Sequence, residues 1–305
     1  MTTEWQNFNT LVERAMSSSN VANMRPVIEK ELLHYDILFC LDQSNLLDNI
    51  VFQGGTALRL CYGGNRFSED LDFAGGHTFS SVDMLRLKEC IQDYIGNRYN
   101  LSVNVKEPKS LKEDNHAQIK IDKWQISINT TPEQKHIPQQ RIKLEIANIP
   151  AYTKQARSLQ RNHECLPDGY EDTLIYTETL DEIMADKLIA FPATTRYIRY
   201  RDIWDLAWLQ QQGAKVNVEL VLQKKTDYRL ENFTKNLKLC IANLESIIDS
   251  KSFKNEMQRF IPMDIYERTL GKQKFCEYLK TTHQTLFTEL YTDITQIKEK
   301  NDFKM

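Results

Sequence analysis

The sequence predicts an α/β fold, with a mixed sheet in the amino-terminal part and a helical carboxy-terminal domain after it. Three observations support this prediction. Apolar and polar residues alternate in residues 99–149, which is typical of strands, and apolar residues recur every three or four positions in residues 214–305, which is typical of helices. In residues 50–60 an apolar run leads through two glycines into a helix-like segment. We place the two domains at residues 1–177 and 178–305.

Helices are predicted on both sides of the first strand. Residues 1–48 have a helical pattern, with Pro26 suited to a first helical turn. A second helix is predicted from Ser80 to Gly96, because glycine often ends a helix. Four alternating runs in residues 99–149 predict a mostly antiparallel extension of the sheet. The polar and basic segment 150–167 predicts a loop or a short solvated helix.

The bulk composition is that of an ordinary globular protein. Of the 305 residues, 41% are hydrophobic and 27% are charged, and the formal net charge is −3. This charge excludes a globally basic coat for nucleic acid but allows a local basic groove. No apolar run is long enough to cross a bilayer and no secretory pattern opens the chain, so we expect a cytoplasmic protein with no membrane partner.

Cysteine and histidine are scattered along the chain. The six cysteines occur singly, without a Cys-x-x-Cys pair, and the six histidines are equally dispersed. A structural zinc site is therefore not expected. Single thiols of this kind fit a reducing compartment.

Gly54-Gly55-Thr56 follows the apolar run Ile50-Val51-Phe52 and precedes a helix-like segment. A strand that turns through glycines into a helix leaves backbone N–H groups uncovered, which makes an anion site. Glycine lets a phosphate approach the backbone, and the Thr56 hydroxyl can donate to it or cap the helix. A plain turn and helix cap is the alternative for this motif alone.

Asp70-Leu71-Asp72-Phe73 has the pattern of a strand. Its period of two places both carboxylates on one face, where they repel each other unless a cation lies between them. Oxygen ligands of this kind suit Mg²⁺. An acidic pair beside a phosphate cradle is what phosphoryl or nucleotidyl transfer requires. A solvated strand edge is the alternative.

Glu145 is a candidate third carboxylate. It lies on the strand-like run 141–147, on the face opposite the isoleucines, with Lys143 beside it as a candidate phosphate contact. On the pattern alone, a solvent-facing charge pair on a strand explains these residues equally well.

Lys187 and two aspartates form the last candidate group. Lys187 falls on the apolar stripe of a predicted helix, where it either reaches a helix end or faces a buried anion such as a triphosphate. Asp202 and Asp205 share a face of the next helix, and Arg201 is spaced to pair with Asp205. Acids in this arrangement are usually salt-bridge partners.

Two signatures resemble the AbiEii/AbiGii toxin family. One is Gly54-Gly55-Thr56-Ala57-Leu58-Arg59 followed by Arg66-Phe67-Ser68-Glu69-Asp70-Leu71-Asp72-Phe73. The other is Glu182-Ile183-Met184-Ala185-Asp186-Lys187-Leu188 followed by Arg201-Asp202-Ile203-Trp204-Asp205-Leu206. The resemblance covers about residues 20–210. It implies a nucleotidyltransferase-like toxin of type IV toxin–antitoxin and phage-defence systems, with the mixed sheet and flanking helices of the polymerase-beta-like superfamily.

The resemblance also implies a site in a cleft that the helical domain completes. It implies that Asp70 and Asp72 hold Mg²⁺ or Mn²⁺ against a nucleoside triphosphate, with Glu145 as a third acid. Residues implied in nucleotide binding are Gly54, Gly55, Thr56, Arg66, Lys187 and, more weakly, Arg201 and Asp205. Ser68 is expected as a local cap or a partner of the aspartates. Asp202 either accepts the nucleophile's proton or orients Lys187.

The implied reaction transfers NMP to an acceptor such as the 3′ end of tRNA, which would arrest growth, and an antitoxin would restrain it. Two alternatives remain open from the sequence. One is a nucleotidyltransferase or phosphotransferase that modifies a protein hydroxyl. The other is a non-catalytic module that only binds nucleotide or a partner.

Overall fold

The computed structural model describes residues 7–17, 21, 23–111, 119–134 and 136–302. The chain divides into two compact units, Met1–Glu178 and Thr179–Met305.

One sheet of seven strands forms the centre of the first unit. The strands are β1 (Val51–Gln53), β2 (Leu71–Ala74), β3 (Val103–Lys106), β4 (Ile121–Ile128), β5 (Gln140–Ala147), β6 (Gln155–Ser158) and β7 (Leu174–Thr177). Their order across the sheet is β3-β4-β5-β2-β1-β7-β6. The pairs β2–β5 and β1–β7 are parallel and the other pairs are antiparallel. The prediction of a mixed sheet is therefore confirmed.

Four helices accompany the sheet: α1 (Phe8–Ser17), α2 (Arg25–Gln43), α3 (Gly54–Tyr62) and α4 (Leu87–Tyr99). Pro26 lies in the first turn of α2, as predicted, where its missing N–H costs no hydrogen bond. Helix α2 packs against α4 and β5, and most of its residues are buried. Such burial explains why both faces of this helix are rich in apolar residues.

Several local predictions were wrong. The four alternating runs of residues 99–149 make three strands, because Ile121 and Ile128 belong to the same strand, β4. Residues 150–167 contain the edge strand β6 in place of a loop or helix. Helix α4 continues through Gly96 and ends at Asn100, which adopts the left-handed conformation with φ 55°.

The second unit is helical, as predicted. Its helices are α5 (Leu180–Ala193), α6 (Tyr200–Gln211), α7 (Val218–Asp227), α8 (Phe233–Asp249), α9 (Lys251–Met257), α10 (Met263–Arg268) and α11 (Gln273–Asp302). Helix α5 packs against α6, α7 and α8, and is the centre of the unit. None of the helices in the described ranges is long and apolar enough to cross a membrane.

Candidate active site

The turn from β1 into α3 places two glycines beside the acidic strand β2. Gly54 has φ +78°, a conformation that side chains with a Cβ rarely adopt. A Cβ on Gly54 would also lie 3.0 Å from Asp72 Oδ2. Gln53 pairs directly with Asp72 across the antiparallel β1–β2 register. The amino terminus of α3 and the Asp72 carboxylate are therefore immediate neighbours.

Because Gly55 has no side chain, the buried Arg66 side chain fits beside it. A Cβ at this position would collide with Arg66 Nη2 and would come within 3.2 Å of Ser68 Oγ. Arg66 and Ser68 are both buried, and Arg66 Nη1 donates to the Phe67 carbonyl at 2.8 Å. A guanidinium at the amino end of a helix adds to the positive potential already there, which favours an anion.

Three carboxylates occupy neighbouring positions on one face of the sheet. Asp72 pairs with Glu145 in the parallel β2–β5 register, so their side chains point to the same side. Asp70 lies just ahead of β2, and its Oδ1 accepts from the Lys143 backbone N–H at 3.3 Å. Its other oxygen lies 3.6 Å from Lys143 Nζ. The pairing of strands thus groups acids that are up to 75 positions apart in the sequence.

Lys123 of β4 reaches the same face. It pairs with Glu145 across the β4–β5 register, and its Nζ lies 2.6 Å from Glu145 Oε1. The pKa of Lys123 is raised, first by this hydrogen bond and further by the negative charges of Glu145, Asp70 and Asp72. All three acids therefore favour the charged form of Lys123.

Thr56 holds the start of the acidic strand. Its hydroxyl donates to the Asp70 backbone carbonyl, and the side chain is buried. The hydroxyl proton that we predicted for phosphate binding or helix capping is therefore engaged in positioning Asp70. The preceding Glu69 is held from α2, by Lys30 Nζ at 2.6 Å and by His34 Nε2 at its carbonyl, 3.0 Å away. Burial lowers the pKa of His34 to about 4, so its ring is neutral at pH 7.

The donor set fits a hard divalent cation by its chemistry. Asp70, Asp72 and Glu145 supply carboxylate oxygens, the ligands that Mg²⁺ and Mn²⁺ take in proteins. Within the described ranges, no group of three or more His, Cys, Asp and Glu side chains is close enough together to hold a metal ion. The ammonium groups of Lys123 and Lys143 lie against two of the three acids instead.

A buried charge cluster forms the second group of candidate residues, within the second unit. Lys187 Nζ of α5 lies 2.9 Å from Asp202 Oδ1 and 2.6 Å from Asp205 Oδ2 of α6. Arg199 Nε also donates to Asp202. The buried anions that Lys187 faces are thus these two aspartates. Arg201, which we expected to pair with Asp205, lies 3.9 Å from Glu256 and stacks on Phe260.

The protonation of Asp202 bears on its role. Burial alone would raise its pKa, but the charges of Lys187 and Arg199 outweigh burial and hold the pKa below its ordinary value. A carboxylate with a lowered pKa is a weak proton acceptor. Of the two roles left open by the sequence, orienting Lys187 agrees better with this environment.

Residues 36–281 match the model of the family described as "Nucleotidyl transferase AbiEii toxin, Type IV TA system". The match covers most of the 305-residue chain. The protein belongs to the AbiEii family. The resemblance seen in the two sequence signatures is confirmed, and both clusters of candidate residues lie inside the matched range.

Two solved structures resemble this AbiEii-family chain. One is the crystal structure of JHP933 from Helicobacter pylori, with 19% identity, a TM-score of 0.45, and coverage of 90% of this chain and 97% of that one. The other is an H. pylori protein provisionally described as a nucleotidyltransferase, with 21% identity, a TM-score of 0.46, and coverage of 86% and 97%. No curated protein matches the chain.

Lys123 in the first unit and Arg199 in the second contact candidate residues of this AbiEii-family chain, and neither belongs to the sequence signatures. The signal for Lys123 was the alternation in β4, which places it on the polar face, but its pairing with Glu145 depends on a register that the sequence does not give. Arg199 precedes α6 by one residue and reaches Asp202 at the i,i+3 spacing. That spacing was visible in the sequence.

Proposed function

We propose that this protein is a metal-dependent nucleotidyltransferase toxin that transfers NMP from a nucleoside triphosphate to the 3′ end of tRNA and thereby arrests growth. The observation that carries the proposal is the position of Asp72. It lies beside the amino terminus of α3 on one side and in register with Glu145 on the other. A helix amino terminus, which can bind phosphate, therefore adjoins a pair of acids, an arrangement that suits nucleotidyl transfer.

Helix α3 supplies the phosphate site in this proposal. The first N–H groups of a helix have no partner within it, and Gly54 and Gly55 allow a phosphate to approach them closely. Arg66 adds a guanidinium beside Gly55. Together they would neutralise the charge of the triphosphate and fix its orientation. Thr56 supports this site by its hydrogen bond to the Asp70 carbonyl, and the Ser68 hydroxyl lies near Gly55 at the start of α3.

Asp70, Asp72 and, as a third ligand, Glu145 are the residues that would hold Mg²⁺ or Mn²⁺. When bound, the metal supplies charge neutralisation for the phosphates and for the attacking and leaving oxygens. The protein's part is to place the carboxylates on one face of the sheet. The β2–β5 register sets Asp72 beside Glu145, and the Thr56 hydroxyl and the Lys143 N–H hold Asp70 next to β2.

Transfer joins an acceptor oxygen to the α-phosphorus as the bond to pyrophosphate breaks. The residues that bind the triphosphate orient the α-phosphorus for attack in line with the leaving group. We assign Lys187 to phosphate binding, with Asp202 and Asp205 as the residues that orient its ammonium group. The assignment to phosphate binding follows the family signature, and the ion pairs of 2.9 and 2.6 Å support the orienting role of the two aspartates.

The family membership implies a cognate antitoxin, and we propose that such a protein restrains this toxin. The proposal of tRNA as the acceptor follows from the family resemblance, and the net charge of −3 still permits a local basic surface. The enzyme works on soluble substrates in this scheme, with a nucleoside triphosphate as donor and the cytoplasm as its compartment.

A transfer assay tests the proposal. The purified protein is incubated with Mg²⁺, total tRNA and each α-labelled nucleoside triphosphate in turn, beside the Asp72→Ala variant. We expect label on tRNA with the wild type, and a loss of about 10³-fold with the variant, or roughly 4 kcal/mol of transition-state stabilisation. Circular dichroism and urea unfolding show that the variant is folded.

Asp168→Ala is the matched control, because Asp168 is an exposed acid of the same unit that pairs only with Arg161 in the described contacts. It should retain full activity. Label on a protein band with none on tRNA would replace the tRNA assignment with protein modification. Nucleotide binding without any transfer would contradict catalysis itself.

A further inference from the structure

Two thiols from helices α2 and α4 meet in the folded chain. Cys40 is buried and Cys90 is half-buried. The Cys40 thiol donates to the Ile37 carbonyl at 3.3 Å, and the two thiols are close enough for each to influence the pKa of the other. Cys90 Sγ also lies 3.1 Å from the Cys40 carbonyl oxygen. The residues are 50 positions apart in sequence, so the packing of α2 on α4 brings them together.

An open cavity of about 510 Å³ adjoins this pair. Cys40 and Cys90 line it, together with Ser44, Asp93, Tyr94 and Arg98. This volume is many times that of a water molecule, so hydrogen peroxide and other small electrophiles can reach the thiols.

The surroundings favour a thiolate at Cys90 over one at Cys40. The neighbouring Cys40 thiol is the largest influence and lowers the pKa of Cys90 to about 7, against the effect of burial. The Ser44 hydroxyl, 3.2 Å from Cys90 Sγ, and the charge of Arg86 act in the same direction, while Asp93 opposes them. The pKa of Cys40 is raised, first by the neighbouring Cys90 thiol and then by burial.

The other half-buried thiols differ from Cys90 in their pKa. Burial raises the pKa of Cys240 to about 12, and it also raises the pKa of Cys165. At neutral pH these two remain thiols, and the thiol is a far weaker nucleophile than the thiolate.

We propose that Cys90 and Cys40 are a peroxide-reactive pair, in which Cys90 is the nucleophile and Cys40 resolves it to a disulfide that links α2 to α4. The proposal is independent of the nucleotidyl acceptor. It also agrees with scattered single thiols in a reducing compartment, because a reversible disulfide forms there only when an oxidant is present.

The chemistry proceeds in two balanced steps. The Cys90 thiolate attacks one oxygen of hydrogen peroxide, so that an S–O bond forms, the O–O bond breaks and hydroxide leaves. The Cys90 sulfur is oxidised by two electrons and the peroxide is reduced by two. Cys40 then gives up its proton and its sulfur attacks the Cys90 sulfur, so that an S–S bond forms and the oxygen leaves as water.

Mass spectrometry of the peroxide-treated full chain tests this inference. We expect the wild type to become lighter by two hydrogen atoms, and its digest to contain a Cys40–Cys90 cross-linked peptide that dithiothreitol cleaves. Cys90→Ser should lose no hydrogen. Cys40→Ser should stop at a sulfenic acid on Cys90, which dimedone labels. Cys240→Ser is the matched control and should form the cross-link as the wild type does.

Alkylation of the wild type provides a measurement that needs no variant. With limiting iodoacetamide at pH 7, Cys90 should react at least about tenfold faster than Cys240, because a larger fraction of it is thiolate. The inference is overturned when Cys90 reacts no faster than Cys240. It is also overturned when peroxide oxidises Cys165 or Cys240 and leaves the Cys40–Cys90 peptide unlinked.

Discussion

Gly54 lies so close to Asp72 that a single added methyl group would come within 3.0 Å of the Asp72 carboxylate. Because of this close approach, the amino terminus of α3, with its uncovered N–H groups, lies directly beside β2, which carries the Asp72 carboxylate. The approach is made possible by the φ of +78° at Gly54, which glycine alone adopts without appreciable cost. The site therefore depends on this glycine both for backbone conformation and for space.

Gly54→Ala should lower stability and activity together. The left-handed conformation costs a residue with a Cβ roughly 1–2 kcal/mol, and the methyl group would displace Asp72. We expect at least a tenfold fall in kcat/KM, measured in the tRNA transfer assay, with the free energy of unfolding measured in urea.

Gly76→Ala separates the two effects. Gly76 also has φ +78°, but no described residue lies within 4 Å of a Cβ placed there. This variant should be destabilised by the same backbone strain and should keep its activity. Equal activity losses in the two alanine variants would show that strain, and not the approach to Asp72, explains the effect.

Glu145→Gln should weaken metal dependence, because it removes a charge from the face that Asp70 and Asp72 share. We expect kcat to fall by about 10- to 100-fold, and the Mg²⁺ concentration for half-maximal activity to rise. Titration of the transfer rate with Mg²⁺ measures both. Glu107→Gln is the control, since Glu107 belongs to the same unit and forms a longer ion pair, 3.7 Å from Lys88. An unchanged Mg²⁺ requirement in the Glu145 variant would remove it from the metal site.

Lys187→Met should raise the KM for the nucleoside triphosphate by about tenfold, if the ammonium group binds phosphate. It should also destabilise the protein by about 3–5 kcal/mol, because it leaves two aspartates in a buried position without their lysine. Steady-state kinetics and urea unfolding measure the two effects.

Lys224→Met controls for the loss of stability. Lys224 is fully buried in the same unit, and its Nζ lies 2.8 Å from both Glu182 Oε1 and Asp186 Oδ1. Its replacement should cost a similar free energy and leave the KM unchanged. Were both variants to raise the KM equally, Lys187 would have a structural role alone.

The sequence predicted the fold class because the spacing of apolar residues that is typical of helices and strands can be recognised in a single sequence. The helices of the second unit and the strands β4 and β5 carry clear patterns, whereas β6 does not. It lies at the edge of the sheet, where its alternate residues are exposed and need not be apolar. The end of α4 was misplaced because Gly96 tolerates the helical conformation, and Asn100 provides the left-handed residue four positions later.

The candidate residues were predicted as a set, but their contacts were not. A buried anion was one of two partners that the sequence suggested for Lys187, and the structure identifies Asp202 and Asp205 as its partners. Similarly, the Thr56 hydroxyl binds the Asp70 carbonyl. Both contacts depend on how separate elements pack, and neither spacing nor residue type in one sequence determines that packing.

A buried ion pair between α2 and α3 predicts how the free energy of unfolding depends on pH. Glu31 of α2 accepts from Arg59 Nε and Nη2 at 2.8 and 2.9 Å, and lies 2.9 Å from His163 Nε2. Burial raises the pKa of Glu31, but the charge and hydrogen bonds of Arg59 and the bond with His163 outweigh it and lower the pKa from 4.5 to about 2. A carboxylate with a lowered pKa stabilises the fold above its unfolded pKa, and this contribution is lost as the pH falls from about 4.5 to about 2.

Urea unfolding of the wild type and of Glu31→Gln at pH 6 and pH 3.5 measures this contribution. The glutamine cannot ionise. From pH 6 to pH 3.5 the free energy of unfolding of the wild type should therefore fall by about 1.4 kcal/mol more than that of the variant. Other acids titrate in both proteins and cancel in the comparison. Glu107→Gln, at the longer ion pair with Lys88, should show the same loss as the wild type. Parallel losses in wild type and Glu31→Gln would mean that Glu31 titrates alike in the folded and unfolded chain, and that the Arg59 pair does not hold its charge.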